Sequence, residues 1–295
     1  AVQRRRDEEG RQQQTTTVPP PPPRPPCRLV AGQRRKVKRL VQQGEVSRAA
    51  KLVYDTAERA PASEATLEEV QKLFPSRRHP LPPPPPPLEP EDVHISADGV
   101  AEALRKAPKG SAAGADGWTF DHLRELCADG RNPETQRFLA ALAGVLRLVA
   151  AAKLPQEVTE YLSSGTVVAL LKPKGGVRPI VLQSVLRRLA CKVMLKTVER
   201  TLPKLFQPHQ FGVGTPGGVD VVTLALRSAA AAHKGWAVAT TDFSMAFQAV
   251  SRQRFLDRVP SLLPTLAPMV HALYGHEQGA VYVESGGFQR VPVPC

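Results

Sequence analysis

Two short runs of β-branched and aliphatic residues are the clearest hydrophobic pattern in the chain. Residues 165–171 (GTVVALL) and 177–182 (VRPIVL) have the composition of strands. The turn between them, residues 172–176 (KPKGG), ends in two glycines, which readily take the positive φ that a tight turn needs. The pattern therefore predicts an antiparallel β-hairpin with a basic tip.

Helical periodicity dominates on both sides of this hairpin. Apolar residues recur at three- and four-residue spacing over 135–152, 185–201 and 219–232, and each of these ranges predicts a helix. The apolar run 236–241 (WAVATT) favours a buried strand that ends at Asp242. A further short strand, 281–283 (VYV), is expected to lack partners. The unpaired sheet edge that results predicts marginal stability, a tendency to aggregate and hence low solubility.

The first third of the chain has a different composition, because it holds more than half of the 30 prolines. Residues 1–27 are rich in Pro, Arg and Gln and predict a disordered arm with polyproline II stretches. Residues 28–75 predict a basic helical segment, and residues 76–91 a stiff polyproline linker. A proline-binding adaptor is the alternative use of that linker. Residues 92–295 are long enough to bury a core of their own.

Five cations stand close together where the basic helical segment begins: Arg34, Arg35, Lys36, Lys38 and Arg39. Such a cluster is typical of a nuclear-import signal or of a patch that binds nucleic-acid phosphates. A solvated helix face is an equally good interpretation.

Composition supports a polyanionic partner. The formal net charge is +13 and the isoelectric point is about 10.0, so the chain favours nucleic acid with little sequence discrimination. The four cysteines are far apart in sequence and form no C-x-x-C pair, which argues against zinc. No apolar run approaches the length of a membrane span. We expect no membrane partner and a nuclear or cytoplasmic location.

Asp242 begins the most informative segment, residues 242–247 (DFSMAF). A carboxylate at the end of a buried strand, followed by small residues and an aromatic, suits a metal-dependent phosphoryl-transfer site. A helix N-cap or an ordinary turn is the alternative for an Asp in this context.

Four segments in this order resemble the reverse transcriptase family, most closely the polymerases of non-LTR retrotransposons. Residues 114–118 (GADGW) are similar to the family's "GPDG" segment, and residues 170–180 (LLKPKGGVRPI) to its fingers hairpin. Residues 209–212 (HQFG) are similar to the "QFGF" loop, and residues 241–252 (TDFSMAFQAVSR) to the first palm motif. The resemblance covers about residues 92–295.

The resemblance implies an α+β fold in which helix-rich fingers with a β-hairpin precede an incomplete polymerase palm. It also implies RNA-directed DNA synthesis in the complete protein, with an RNA template, a DNA primer, deoxynucleoside triphosphates and Mg²⁺. By the same resemblance, seven residues have expected roles. These are Asp242 as catalytic metal ligand, the Phe243 carbonyl beside it, Phe247 against the ribose 2′-position, Gln210 near the templating base, and Arg178 with Lys172 or Lys174 at the triphosphate. The strand register decides which lysine accompanies Arg178.

Each role has a structural alternative. Phe247 fits a core position as well as a nucleotide wall, and the hairpin cations fit a solvated tip as well as a phosphate site. Gln210 fits an ordinary turn between helices.

One departure from the family pattern limits the expected activity. The family's aromatic-x-Asp-Asp hairpin has no counterpart, because no Asp-Asp pair occurs in the chain. One Asp cannot place the two cations that phosphoryl transfer needs, so we expect these 295 residues alone not to polymerise. The hypotheses are a fragment of a retroelement polymerase, a non-catalytic nucleic-acid-binding remnant, or an unrelated α/β protein.

Overall fold

The structure is a computed structural model. It describes residues 31–42, 44, 46–54, 59–61, 63–74, 80–172, 175–243, 246–275, 278–284 and 288–294. Side chains are described only up to residue 275, and not for residues 31, 33, 47, 48, 51 and 54. The expected disordered arm, residues 1–27, and Lys174 of the hairpin tip therefore lie outside the described residues.

The described residues form thirteen α-helices, four strands and two short 3₁₀ turns. The helices are α1 Ala31–Gln42, α2 Val46–Tyr54, α3 Glu64–Lys72, α4 Ala97–Arg105, α5 Phe120–Leu126, α6 Pro133–Ala150, α7 Gln156–Ser163, α8 Val185–Thr197, α9 Leu202–Phe206, α10 Gly218–Ala232, α11 Ala246–Ala249, α12 Arg252–Leu262 and α13 Ala267–Tyr274. The strands are β1 Gly165–Leu171, β2 Val177–Gln183, β3 Gln278–Glu284 and β4 Phe288–Pro294. The expected α+β class, helix-rich with a β-hairpin, is confirmed.

The chain divides into two compact units, Ala1–Ala57 and Glu58–Cys295. In the first unit, α1 and α2 pack together and bury Leu40 and Ala49. The boundary between these units falls after Ala57, and the linker expected at residues 76–91 stays a prediction. The boundary falls there because α3 packs on β2, which brings residues 58–74 into the larger unit.

The core of the larger unit lies among helices. Helices α4, α6 and α8 contact one another, and α13 closes the group against α7 and α6. Val100, Leu104, Leu146 and Leu189 are almost completely buried at their contacts. The aliphatic periodicity of these helices places one apolar face of each toward the others.

A second, smaller core lies beneath the hairpin. Val167, Ala169 and Val177 project from one face of β1 and β2 onto Val70 of α3. The Ala60 amide donates to the Ala169 carbonyl at 2.9 Å, which fixes the approach to α3 on the strand. Alternate residues of a strand point to opposite faces, so the other face of the hairpin is left for solvent or a ligand.

The sheet is larger than the sequence predicted. Its strand order is β2-β1-β3-β4, with β1 antiparallel to β2, β3 parallel to β1 and β4 antiparallel to β3. The expectation that 281–283 lacks partners is therefore wrong. The parallel pairing joins segments more than a hundred residues apart, such as Gly165 and Val281, and local patterns do not reveal such contacts.

A buried arginine fixes the start of β1. Arg187 of α8 is 2% exposed and donates to the carbonyls of Leu162 and Ser163 at 3.2 and 2.7 Å. These carbonyls end α7, where intrahelical partners run out. The guanidinium also lies 4.9 Å from the Tyr274 ring centroid. Arg187 thus connects α8 to the turn that leads into β1.

The polyproline segment is in contact with the larger unit. A His271 ring nitrogen lies 3.0 Å from the Pro82 carbonyl oxygen, and the Leu88 amide donates to the Ala151 carbonyl at 3.2 Å. Lys153 and Glu89 form an ion pair at 3.2 Å. Leu88 also packs against the helical core, so this part of the stiff linker expected at residues 76–91 lies on the larger unit.

The run 236–241 is not a strand. It has no regular secondary structure, and Trp236 and Val238 are exposed. The predicted buried strand before Asp242 is therefore wrong in this structure. β-Propensity reflects packing against neighbouring strands, and this run has none in the structure.

Helix α10 forms where the periodicity predicted it, but its side chains are exposed along nearly its whole length. Among the described residues, no helix is both long enough and apolar enough to cross a membrane.

Candidate functional site

The hairpin presents two of its predicted cations on one face. In the register of β1 and β2, Leu170 pairs with Arg178 and Leu171 with Val177. Directly paired residues project to the same face, and so do residues two apart on one strand. Lys172 therefore shares a face with Leu170 and Arg178, opposite the face that packs on α3. Lys174, the other candidate to accompany Arg178, lies outside the described residues, so its role stays a prediction.

The tip of the hairpin is held by backbone hydrogen bonds. The Lys172 amide donates to the Gly176 carbonyl at 2.9 Å, and the Gly175 amide donates to the Lys172 carbonyl at 3.0 Å. Gly175 and Gly176 have φ of 90° and 79°, which an L side chain rarely adopts. Lys172 and Arg178 are both exposed. The turn thus fixes their backbone positions while their side chains reach solvent.

The GADGW segment lies against the end of this hairpin. The Ser184 hydroxyl donates to an Asp116 carboxylate oxygen at 2.6 Å, and the Trp118 amide donates to the other oxygen at 3.1 Å. Ser184 is also the N-cap of α8, accepting from the Leu186 amide at 3.2 Å. Asp116 therefore ties this loop to the junction of β2 and α8.

Close backbone packing reinforces that tie. A Cβ on Gly114 would lie 2.6 Å from the Gln183 carbonyl, so only glycine fits at that position. Arg188 donates to the Ala112 carbonyl at 2.9 Å and stacks over the Phe120 ring at 5.0 Å. Burial lowers the pKa of Arg188 from its usual value, and the charge of Asp116 partly opposes that change. The loop thus supports the hairpin from the side of α8.

The sequence indicated that the GADGW segment is important, but it did not indicate the structural contacts that the segment makes. The Asp116–Ser184 contact joins residues 68 positions apart. The signal available in the sequence was a Ser directly before an apolar periodic run, which predicts an N-cap. Nothing in the spacing indicates that a distant Asp would accept from that serine.

Gln210 lies in an exposed loop between α9 and α10. Its side-chain oxygen accepts from the Gly212 amide, so the side chain folds back on its own loop. Gln207 binds Thr215 across the loop at 3.1 Å. A Cβ on Gly218 would fall 1.8 Å from the Phe211 carbonyl oxygen, so the loop needs glycine where α10 begins.

Asp242 and Phe243 lie in the irregular segment that follows α10, and Phe247 lies in α11. Asp242 is exposed, and Phe243 and Phe247 are 78% and 94% exposed. Neither ring is part of the two described cores, so the core alternative for Phe247 has no support here. Among the described residues, no hydrogen bond, ion pair or ring contact joins these three residues to Lys172 or Arg178.

The fit of Mg²⁺ to the described residues is incomplete. Asp242 supplies a carboxylate, and the Phe243 carbonyl is next to it. Within the described part of the chain, no group of three or more His, Cys, Asp or Glu side chains is placed to hold a metal ion. These residues alone do not form the oxygen-rich cage of a two-metal site.

The basic cluster lies on α1. Arg34, Arg35, Lys36, Lys38 and Arg39 are all exposed. The helix contains no acidic residue, so these positive charges are not offset within it. A helix of this kind can approach phosphates along most of its surface.

No known protein family's sequence profile matches the chain. The chain is 32% identical over 224 residues to the retrotransposable element SLACS 132 kDa protein of Trypanosoma brucei gambiense. The alignment covers 75% of this chain and 17% of that protein, so the chain spans about a sixth of the length of the relative that it matches. The chain is thus a distant homologue of a retrotransposon protein.

Proposed function

We propose that this chain is part of the reverse transcriptase of a retrotransposable element, and that the longer protein performs template-directed nucleotidyl transfer. The observation that carries the proposal is the β1–β2 hairpin, which has Lys172 and Arg178 on one exposed face. The ordered motifs and the homology to a retrotransposon protein support it. Its partners would be an RNA template, a DNA primer and deoxynucleoside triphosphates, in the nucleus or the cytoplasm.

In this proposal the hairpin cations bind the triphosphate. Charge builds on the phosphate oxygens during transfer, and fixed cations stabilise it because they need no reorganisation. Asp116 and Ser184 would keep the hairpin in place from the α8 side. Magnesium, where the longer protein binds it, would supply the charge that links Asp242 to the reacting phosphate.

The proposal also assigns nucleotide-binding roles to Phe247 and Gln210. The Phe247 ring would stand against the ribose and exclude a 2′-hydroxyl, which favours deoxynucleotides. The loop around Gln210 would lie near the templating base. Both side chains are on exposed segments, so a nucleotide could reach them without unfolding the chain.

The test is primer extension by the longest polypeptide that contains this chain, on an RNA template with a DNA primer. Asp242→Asn should reduce extension by about two to three orders of magnitude while leaving template binding unchanged. Asp257→Asn is the matched control, because Asp257 is an exposed aspartate on α12. Full activity of Asp242→Asn would remove Asp242 from the metal site.

A second experiment tests the role of the hairpin. Arg178→Ala should raise the KM for deoxynucleotides about tenfold with a smaller change in kcat, because a charge-assisted contact to the bound triphosphate is lost. Arg200→Ala, at another exposed arginine, is the control. An unchanged KM would show that the hairpin does not bind the triphosphate.

The alternative function is nucleic-acid binding without catalysis, and the exposed cations of α1 favour it. The test is binding of a single-stranded RNA by the 295-residue chain at several salt concentrations. Replacing the five cations of α1 with Gln should flatten the slope of log K against log salt by about three. Arg200→Gln with Lys204→Gln, in the larger unit, is the control. An unchanged slope would exclude α1 as the binding site.

A further inference from the structure

The polyproline segment contacts the rest of the larger unit at regularly spaced positions. Six prolines in a row, Pro82–Pro87, are flanked by Leu81 and Leu88. Proline fixes φ near −65° and disfavours helical backbone in the residue before it, so such a run adopts polyproline II. That helix has three residues per turn.

Exposure along the segment repeats with the same period of three. Pro82, Pro85 and Leu88 are partly buried, whereas Pro83, Pro84, Pro86 and Pro87 are exposed. One edge of the polyproline helix therefore lies on the protein. The other two edges form an exposed proline ridge, which consists of these four exposed prolines.

The docked edge is held at both ends. At one end the Pro82 carbonyl oxygen lies 3.0 Å from the His271 ring Nε2, which can donate a hydrogen bond to it. At the other end the Leu88 amide binds the Ala151 carbonyl at 3.2 Å, and Glu89 pairs with Lys153. The segment is thus ordered before any partner arrives, which lowers the entropic cost of binding.

The ridge is followed by a local reversal of charge. Glu91 and Asp92 are exposed and follow the ridge in sequence, beyond the Glu89–Lys153 ion pair, although the chain as a whole carries +13. Aromatic-lined grooves bind polyproline II ligands because the ligand is stiff and its backbone carbonyls are free. A groove with basic residues along its rim would also complement the acidic end.

We propose that the proline ridge is a docking site for a proline-binding protein domain that has an aromatic-lined groove and a basic rim. The site is independent of nucleotidyl transfer, since none of its residues belongs to the hairpin or to the segment around Asp242. The partner would bind the two solvent-facing edges and leave the docked edge in place.

The test is a titration of the 295-residue chain with a purified EVH1-type domain whose groove is rimmed by lysines and arginines. Pro83→Ala with Pro86→Ala should weaken binding by about tenfold or more, because prolines three apart share one edge. The melting temperature of this variant should equal that of the parent, since both side chains face solvent.

The chain contains a matched control. Residues 19–23 form a second run of prolines, which a basic residue, Arg24, follows. Pro20→Ala with Pro23→Ala should therefore leave binding to the basic-rimmed domain unchanged. Glu91→Lys with Asp92→Lys should weaken binding and reduce its dependence on salt, because the complementary charge is lost.

Two results would overturn the proposal. One is equal affinity of the parent chain and the Pro83→Ala, Pro86→Ala variant. The other is a synthetic peptide of residues 80–92 that binds the domain while the folded chain does not, which would show that the docked edge blocks the groove.

Discussion

At the scale of single residues, the Asp116–Ser184 contact has the clearest energetic consequence. Ser184 is 4% exposed and donates to a carboxylate, and hydrogen bonds to charged groups contribute about 1.5–3 kcal/mol. Asp116→Ala should lower the free energy of unfolding by about 2 kcal/mol, measured by urea denaturation. Asp129→Ala is the control, because the Asp129 side chain is exposed and accepts from the amide of Arg131, two residues along the chain.

A double-mutant cycle separates this contact from the helix cap. Ser184→Ala alone also removes the N-cap of α8, which costs about 1 kcal/mol. The Asp116→Ala, Ser184→Ala double variant should therefore be about 1 kcal/mol more stable than the sum of the single effects predicts. Strict additivity would mean that the two side chains do not interact in solution.

Glu102 gives a prediction on pH. It forms ion pairs with Lys106 at 2.7 Å and Lys196 at 2.6 Å, and these hydrogen bonds and charges lower its pKa from 4.5 to about 2. A carboxyl group whose folded pKa is lowered stabilises the fold above its unfolded pKa. That stabilisation is lost as pH falls from about 4.5 toward 2.

The measurement is the melting temperature of the parent chain and of Glu102→Gln at pH 6 and at pH 3. The parent should melt higher at pH 6, and the difference should shrink at pH 3, because below pH 4.5 the unfolded chain takes up a proton at Glu102 before the folded chain does. Glu125→Gln, at an exposed glutamate of α5, should show no such convergence. A constant difference would mean that Glu102 stabilises the fold through its packing and not through its charge.

At the scale of elements, the hairpin shows how much of the structure local sequence patterns can predict. The β1 and β2 boundaries followed from β-branched runs and a Gly-Gly turn, because the hairpin is a local structure. The support that α3 and the GADGW loop give to it could not be predicted, because those contacts join distant segments. For the same reason Arg178 and Lys172 were predictable as candidates, whereas their shared face needed the register.

Packing of α3 on the hairpin gives the prediction at this scale. Val70 is 0% exposed and contacts the inner face of β1 and β2. Val70→Ala should lower the free energy of unfolding by about 2 kcal/mol, from lost burial and the cavity left behind. Hydrogen exchange should accelerate in β1 and β2 before it does in α6.

A control at an exposed valine keeps this prediction specific. Val158 of α7 is 42% exposed, so Val158→Ala should change stability by less than about 0.5 kcal/mol. If Val70→Ala had an equally small effect, α3 would not support the hairpin. If exchange accelerated equally in α6, the two cores would unfold as one.

At the scale of the whole molecule, an uncovered apolar surface replaces the unpaired sheet edge as the expected cause of low solubility. The strand at 281–283 has partners, whereas α10 and the run after it expose large apolar side chains. These include Val219 at 79%, Leu224 at 63% and Trp236 at 69% exposure. Contiguous apolar surface of this kind promotes association.

Val219→Lys with Leu224→Lys should therefore raise the protein concentration at which light scattering begins, without lowering the melting temperature. Both side chains already face solvent, so the substitutions should weaken association between molecules without changing the free energy of unfolding. Leu195→Lys is the matched control: Leu195 is 50% exposed on α8, a helix whose other face is buried in the core. It should change neither quantity, because a single exposed leucine is a normal surface feature. If the α10 variant instead melted lower, α10 would pack against the rest of the chain in solution, and its exposed residues would belong to the folded core.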